Sequence, residues 1–159
     1  MQNAEIFGLL LLLFVLLHVA SCWVRMCFWS EGELILIFGG VYQGMLDYAV
    51  ERFGAAGDEI YRCSDDSIYE PEGKNVIYEL DKWILALVRE GLDTGAAVRR
   101  FADNNRDAVV ISNDVSGGVV PEDPVMRKWR EATGRALTLI AQESDEVVRL
   151  FCGIPTKLK

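Results

Sequence analysis

Glu33-Leu-Ile-Leu-Ile-Phe38 and Asp107-Ala-Val-Val-Ile-Ser112 each hold an unbroken run of apolar side chains. Successive residues of a strand point to opposite faces, so such a run must be covered on both sides. That demand is met when helices pack above and below a parallel sheet. The segments between the runs carry helical spacing. Leu46, Ala49, Val50 and Phe53 predict a helix over 45–53, ended by Gly54 and Gly57. Ala97, Val98 and Phe101 point inward from a helix over 94–104. Asp123 followed by Pro124 is a cap and first helical residue, and Val125, Trp129, Ala132, Ala136 and Leu139 extend that helix to 143.

Other segments complete the pattern. Val76, Leu80, Trp83 and Leu87, with Ile77, Ile84 and Val88, form one broad stripe. It predicts a helix over 76–90 capped by Asn75, stopped by Gly91, with Glu79 and Asp81 on its exposed face. Glu59–Cys63 reads as a weak second strand, 64–74 as a polar surface loop, Glu146–Phe151 as a strand and 156–158 as a last edge strand. Strands alternating with helices predict an α/β fold with a mostly parallel sheet over 31–159.

Residues 1–30 are different in kind. Ile6–Val24 is a 19-residue run broken only by Gly8, His18 and Ser21. As a helix it would span about 28 Å, the thickness of a bilayer's hydrocarbon core. Three readings stay open. It is a membrane anchor, with Arg25 holding 31–159 on the cytoplasmic side. It is an export signal ending at Val19-Ala-Ser-Cys22, though without the usual positive charge at its start. Or it lies outside the working protein, which then begins at Met26.

Charge and side-chain chemistry exclude several classes. The formal net charge of −8, with no basic tract, argues against nucleic acid as the partner. Cys22, Cys27, Cys63 and Cys152 form no C-x-x-C pair. The single histidine, His18, lies in the apolar run, so no histidine-based triad or metal site can be built from 31–159. No metal-ligand set is assigned.

The loop after the first strand reads Gly39-Gly40-Val41-Tyr42-Gln43-Gly44-Met45-Leu46. A strand, a glycine loop and a helix N-terminus together cradle phosphate with backbone N–H groups. The glycine spacing is that of G-x-x-x-x-G-K-[ST], but Met45 stands for the lysine and Leu46 for the hydroxyl residue. A plain β–α turn is the alternative. Asp114, at the end of the Asp107–Ser112 strand, is placed to orient a substrate hydroxyl or hold Mg²⁺; the alternative is an Asx turn satisfying loop N–H groups. Gly117, Gly118 and Pro121 set loop shape. Arg127 and Arg130 are phosphate candidates, with a solvated or ion-paired role as the alternative. Trp83, Trp129 and Cys152 are expected to be buried.

The C-terminal third resembles a known family. Val110-Ile-Ser-Asn-Asp-Val-Ser-Gly-Gly-Val-Val-Pro121, Arg127-Lys-Trp-Arg-Glu-Ala-Thr-Gly134, Asp145-Glu-Val147, and Gly153-Ile154 leading to Lys157-Leu-Lys159 are similar to motifs of the bacterial adenosylcobinamide kinase / adenosylcobinamide-phosphate guanylyltransferase family. The glycine loop mirrors that family's opening G-G-x-x-S-G-K-S in altered form, and the likeness covers 33–54 and 108–159. The resemblance implies a P-loop, RecA-like fold, often trimeric, acting late in cobalamin synthesis. It implies ATP or GTP with Mg²⁺ as the phosphate source, adenosylcobinamide as the acceptor, and guanylyl transfer through a histidine after the second strand. That segment is shortened here to 64–75 and holds no histidine, so guanylyl transfer is expected to be lost. Leu137-Thr138 replaces the family's Asn-Gln pair, and Glu79 and Asp81 lie near where the family's second acidic strand end would fall, the alternative to an exposed helix face. A lysine for phosphoryl transfer would have to come from elsewhere, such as Lys74 or Lys82, or from another subunit. Otherwise the chain is a non-catalytic homologue that binds nucleotide or corrinoid or partners an active enzyme, or a membrane-tethered interaction domain with an empty loop.

Overall fold

The computed structural model describes residues 32–159. The expectations for 1–30, including an apolar helix over 6–24, lie outside the described residues. Among the described residues no helix is long and apolar enough to cross a membrane.

In chain order the elements are β1 (Ile35–Gly39), α1 (Met45–Phe53), a 3₁₀ turn (Gly57–Glu59), β2 (Ile60–Arg62), β3 (Val76–Tyr78), α2 (Leu80–Arg89), α3 (Thr94–Asn104), β4 (Val109–Asn113), α4 (Pro124–Glu143), β5 (Glu146–Phe151) and β6 (Ile154–Lys157). They form one six-stranded sheet in the order β2-β3-β4-β1-β5-β6. All neighbours run parallel except β6, which returns antiparallel on β5. β1 is central, with Ile37 level with Ile111 on one side and Val148 on the other.

The two continuous apolar runs are buried on both faces, as their pattern requires. Leu34, Leu36, Val110 and Val147 join a core with Trp83, Ile84 and Leu87 of α2, Val98 and Phe101 of α3, and Ala136 and Ile140 of α4. Trp83 and Phe101 rings meet at 5.5 Å within it. Ile35, Ile37, Val109, Ile111 and Val148 take the alternate positions and are equally buried. Asp123 caps as read, accepting from the N–H of Val125 at 2.8 Å, and Asp93 caps α3 from the N–H of Ala96 at 3.0 Å. Asn75, expected to cap a helix, instead precedes β3 and donates its side-chain amide to Glu59 at 2.9 Å.

Four further expectations need correction. Val76-Ile77-Tyr78 is a strand, not the first turn of a helix; two β-branched residues and a tyrosine suit the slot between β2 and β4, and α2 starts only at Leu80. Asp81 is therefore buried rather than exposed. Cys152 is exposed, because it sits with φ +51° in the tight β5–β6 turn. The last strand is Ile154–Lys157, not 156–158, and is exposed along its whole length.

Candidate functional site

Parallel strands send all their following loops to one edge of the sheet, and ligands of open α/β folds bind at that edge. The loops after β1, β3 and β4 meet there. The carbonyl of Gly39 accepts from the N–H of Asp114 at 2.7 Å, which ties the glycine loop directly to the end of β4.

The glycine loop turns by two left-handed residues. Tyr42 has φ +61° and a fully exposed ring. Gly44 has φ +80° and stands as N-cap of α1 with no side-chain cap, a conformation that glycine adopts without strain. The first-turn N–H groups of α1 and its dipole therefore face the loop. Val41 is exposed and Leu46 half-buried. Met45 is buried, its sulfur 3.4 Å from where a Cβ on Gly39 would stand. Gln43 folds back so that its side-chain nitrogen lies 2.8 Å from the Cβ position of Gly40. Its Oε1 accepts from the N–H of Cys152 at 3.1 Å. The side chain thus covers Gly40 and bridges to the β5–β6 turn.

Two acidic residues follow β3. Glu79, at φ +61°, pairs with Lys82 at 2.9 Å and Arg62 at 3.3 Å. That contact raises the Lys82 ammonium above its ordinary range. Asp81 accepts from the backbone N–H and the side-chain amide of Asn113, both at 3.0 Å. Burial raises its carboxyl above the usual range, the Asn113 donors pull it back and Glu79 pushes it further up. Burial, with help from Asp81 and Glu79, pushes the Cys63 thiol up to about 12, so it stays protonated.

After β4, half-buried Asp114 accepts from the backbone N–H of Ser116 at 2.9 Å and from its hydroxyl. That is the Asx-turn geometry; the carboxylate's other oxygen carries none of these bonds. Arg130 donates to the carbonyls of Ser116, Gly118 and Val119, and Arg127 to those of Pro121 and Glu122. Of the two surrogate lysines, Lys74 donates to the carbonyl of Asp58 and Lys82 is held at Glu79.

Gly39–Leu46 and Asp114 are thus brought together. Asn113 joins them, as do Glu79 and Asp81, which the family resemblance put near an acidic strand end and which the helix expected over 76–90 put on an exposed face instead. The signal was there: two β-branched residues and a tyrosine running into an acidic residue. Leu46 offers no oxygen where the family's hydroxyl would stand, and Asp114 keeps only its second carboxylate oxygen outside the Ser116 bonds. This set does not fit Mg²⁺ in the family's manner.

Residues 75–158 match the cobinamide kinase / cobinamide phosphate guanyltransferase family. The chain is also 30% identical over 81 residues to the bifunctional adenosylcobalamin biosynthesis protein CobU of Salmonella typhimurium, covering 50% of this chain and 45% of that protein. The chain spans about half the length of the curated relative it matches. The matched family segment runs from the residue before β3 through β6, taking in Glu79, Asp81 and Asp114 but not the glycine loop. On that match, over more than half of its residues, the chain belongs to the cobinamide kinase / cobinamide phosphate guanyltransferase family.

Proposed function

We propose that this chain acts in cobalamin biosynthesis as a nucleotide-binding, adenosylcobinamide-kinase-like protein that has lost guanylyl transfer. The observation that carries the reading is the 2.7 Å bond between Asp114 N–H and the Gly39 carbonyl. It sets a glycine-capped helix N-terminus beside an acidic strand end, the pairing that phosphoryl transfer uses: backbone donors for the phosphates of ATP or GTP, and a carboxylate for the acceptor hydroxyl. In this reading Gly39–Leu46 holds phosphate and Asp114 orients the hydroxyl of an adenosylcobinamide-type alcohol. Residues 31–159 form one working unit on the cytoplasmic side, where nucleotides are. Guanylyl transfer has no imidazole to pass through within 31–159, since the single histidine, His18, lies outside them.

A second reading, a non-catalytic binder of nucleotide or corrinoid, draws support from Met45 and Gln43. Met45 spends the family's lysine position on the core, and Gln43 covers Gly40. Neither neutralises a phosphate. No step is routed through Mg²⁺ in either reading.

The test is calorimetric titration of the full chain with ATP and GTP, alongside the variant Met45→Lys with Leu46→Ser. A buried ammonium without a partner is costly, so the variant should melt lower than the parent when no nucleotide is present. Mg-ATP should then recover stability in proportion to its binding, about 2.7 kcal/mol at a hundredfold excess over Kd. A variant that melts lower with no nucleotide-dependent rise, and a parent that binds neither nucleotide, would sink the phosphate-cradle reading.

A further inference from the structure

Arg127 and Arg130 lie three residues apart on α4, hence on one face of that helix. Both guanidinium groups reach back over the loop between β4 and α4 and hold it by its carbonyls. Among the described residues neither forms an ion pair. The neighbouring Glu131 is committed to Arg135 at 2.5 Å. Carbonyl oxygens carry only partial charge, so the two cations stay uncompensated on a chain whose formal net charge is −8. They border an open groove of about 530 Å³, lined also by Ser116, Val120, Gly134 and Thr138 and by the Glu131–Arg135 ion pair. Gly134 leaves the groove floor open, with no atom within 4 Å of where its Cβ would stand. Val120 gives the groove an exposed apolar wall. Arg127 bonds the loop through Nη1 only, so Nη2 and Nε keep their N–H groups for a second acceptor.

We propose that this groove binds a small phosphate monoester. The phosphate dianion takes the free Nη2–Nε fork of Arg127, the Arg130 guanidinium, whose Nη1 and Nη2 already hold loop carbonyls, adds positive charge beside it, and the organic group rests on Val120. The groove lies on the α4 side of the loop that carries Asp114, and the proposal stands independently of nucleotide binding at Gly39–Leu46.

The experiment is an amide NMR titration of the full chain with inorganic phosphate and with propyl phosphate, against sodium chloride at matched ionic strength. Both phosphates should shift the amides of Ser116–Val120 and Gly134 along a saturating curve, and propyl phosphate should bind at least threefold more tightly. Arg127→Gln should weaken binding at least fivefold. Gly134→Leu keeps both arginines and replaces a mid-helix glycine by a good helix former. It should weaken binding as strongly without lowering the melting temperature. Lys128→Gln, outside this groove, should leave the affinity unchanged. An equal response to chloride, unchanged affinity in Arg127→Gln and Gly134→Leu, or inorganic phosphate binding as tightly as the ester would overturn the proposal. Shifts confined to 39–45 would overturn it too, while leaving the nucleotide reading intact.

Discussion

The carboxylate of Asp81 accepts both the backbone N–H and the side-chain amide of Asn113, each at 3.0 Å, from the first turn of α2 to the last residue of β4. The main-chain carbonyl of Asp81 in turn accepts from Trp129 Nε1 at 2.7 Å. One residue therefore ties β4, α2 and α4 together, through the residue that precedes Asp114. Charge-assisted bonds between buried groups are stronger than exposed ones, and leaving a buried donor unmatched is costly.

Asp81→Ala should destabilise the fold by about 2–4 kcal/mol, because it strands two buried donors of Asn113. Asp81→Asn keeps an acceptor oxygen and should cost less than half as much. Urea denaturation at neutral pH compares the two; equal losses would mean that packing, not the acceptor, matters. The pH dependence has a definite sign. The folded Asp81 carboxyl titrates above its unfolded value, so its contribution is full below the unfolded pKa and falls as pH rises through the folded one. Asp81→Asn should lose less stability than the parent over that rise.

Gly39→Ala should destabilise by about 1–3 kcal/mol through overpacking. Its new methyl would stand 2.5 Å from the backbone carbonyl oxygen of Leu150. Neither strand can yield cheaply, since Gly39 and Leu150 are paired in the β1–β5 ladder. Gly57→Ala is the control, as no atom lies within 4 Å of its added Cβ. Melting temperatures should fall for the first substitution and stay close to the parent for the second.

Glu146 should make the domain acid-sensitive at one corner. Burial pushes its carboxyl up, but Arg52 of α1 at 2.5 Å and Lys157 of β6 at 3.1 Å outweigh that and hold it below the usual range. A folded pKa below the unfolded one means stability that is full above the unfolded value and is lost as pH falls through the folded value. Glu146→Gln should flatten the fall in urea midpoint on acidification from neutral pH. At neutral pH it should cost no more than about 1 kcal/mol, because Arg52 and Lys157 are largely solvated. Parallel curves for parent and variant would rule this out.

Local signals decided much of this molecule. The bounds of α1, α3, α4 and β5 follow from apolar spacing and from Gly54, Asp93, Asp123 and Pro124, all of which act within a few residues of themselves. The glycine loop and Asp114 were legible for the same reason, as was family membership through the run from Val110 to Lys159. Tertiary structure decided what local spacing leaves degenerate. Val76 and Ile77 fit the helical stripe of α2 as well as they fit a strand; pairing with β2 and β4 selects the strand, and that shift of one short segment turns Asp81 from solvent to Asn113. Met45 is an acceptable surface methionine by spacing, and only the approach of α1 to β1 makes it core. Cys152 is an apolar residue by composition, and only the turn into β6 puts it outside. Arg127 and Arg130 are ordinary helix-surface cations until the β4–α4 loop folds back beneath them, because a guanidinium's partners are set by the chain that returns to it and not by its neighbours in sequence.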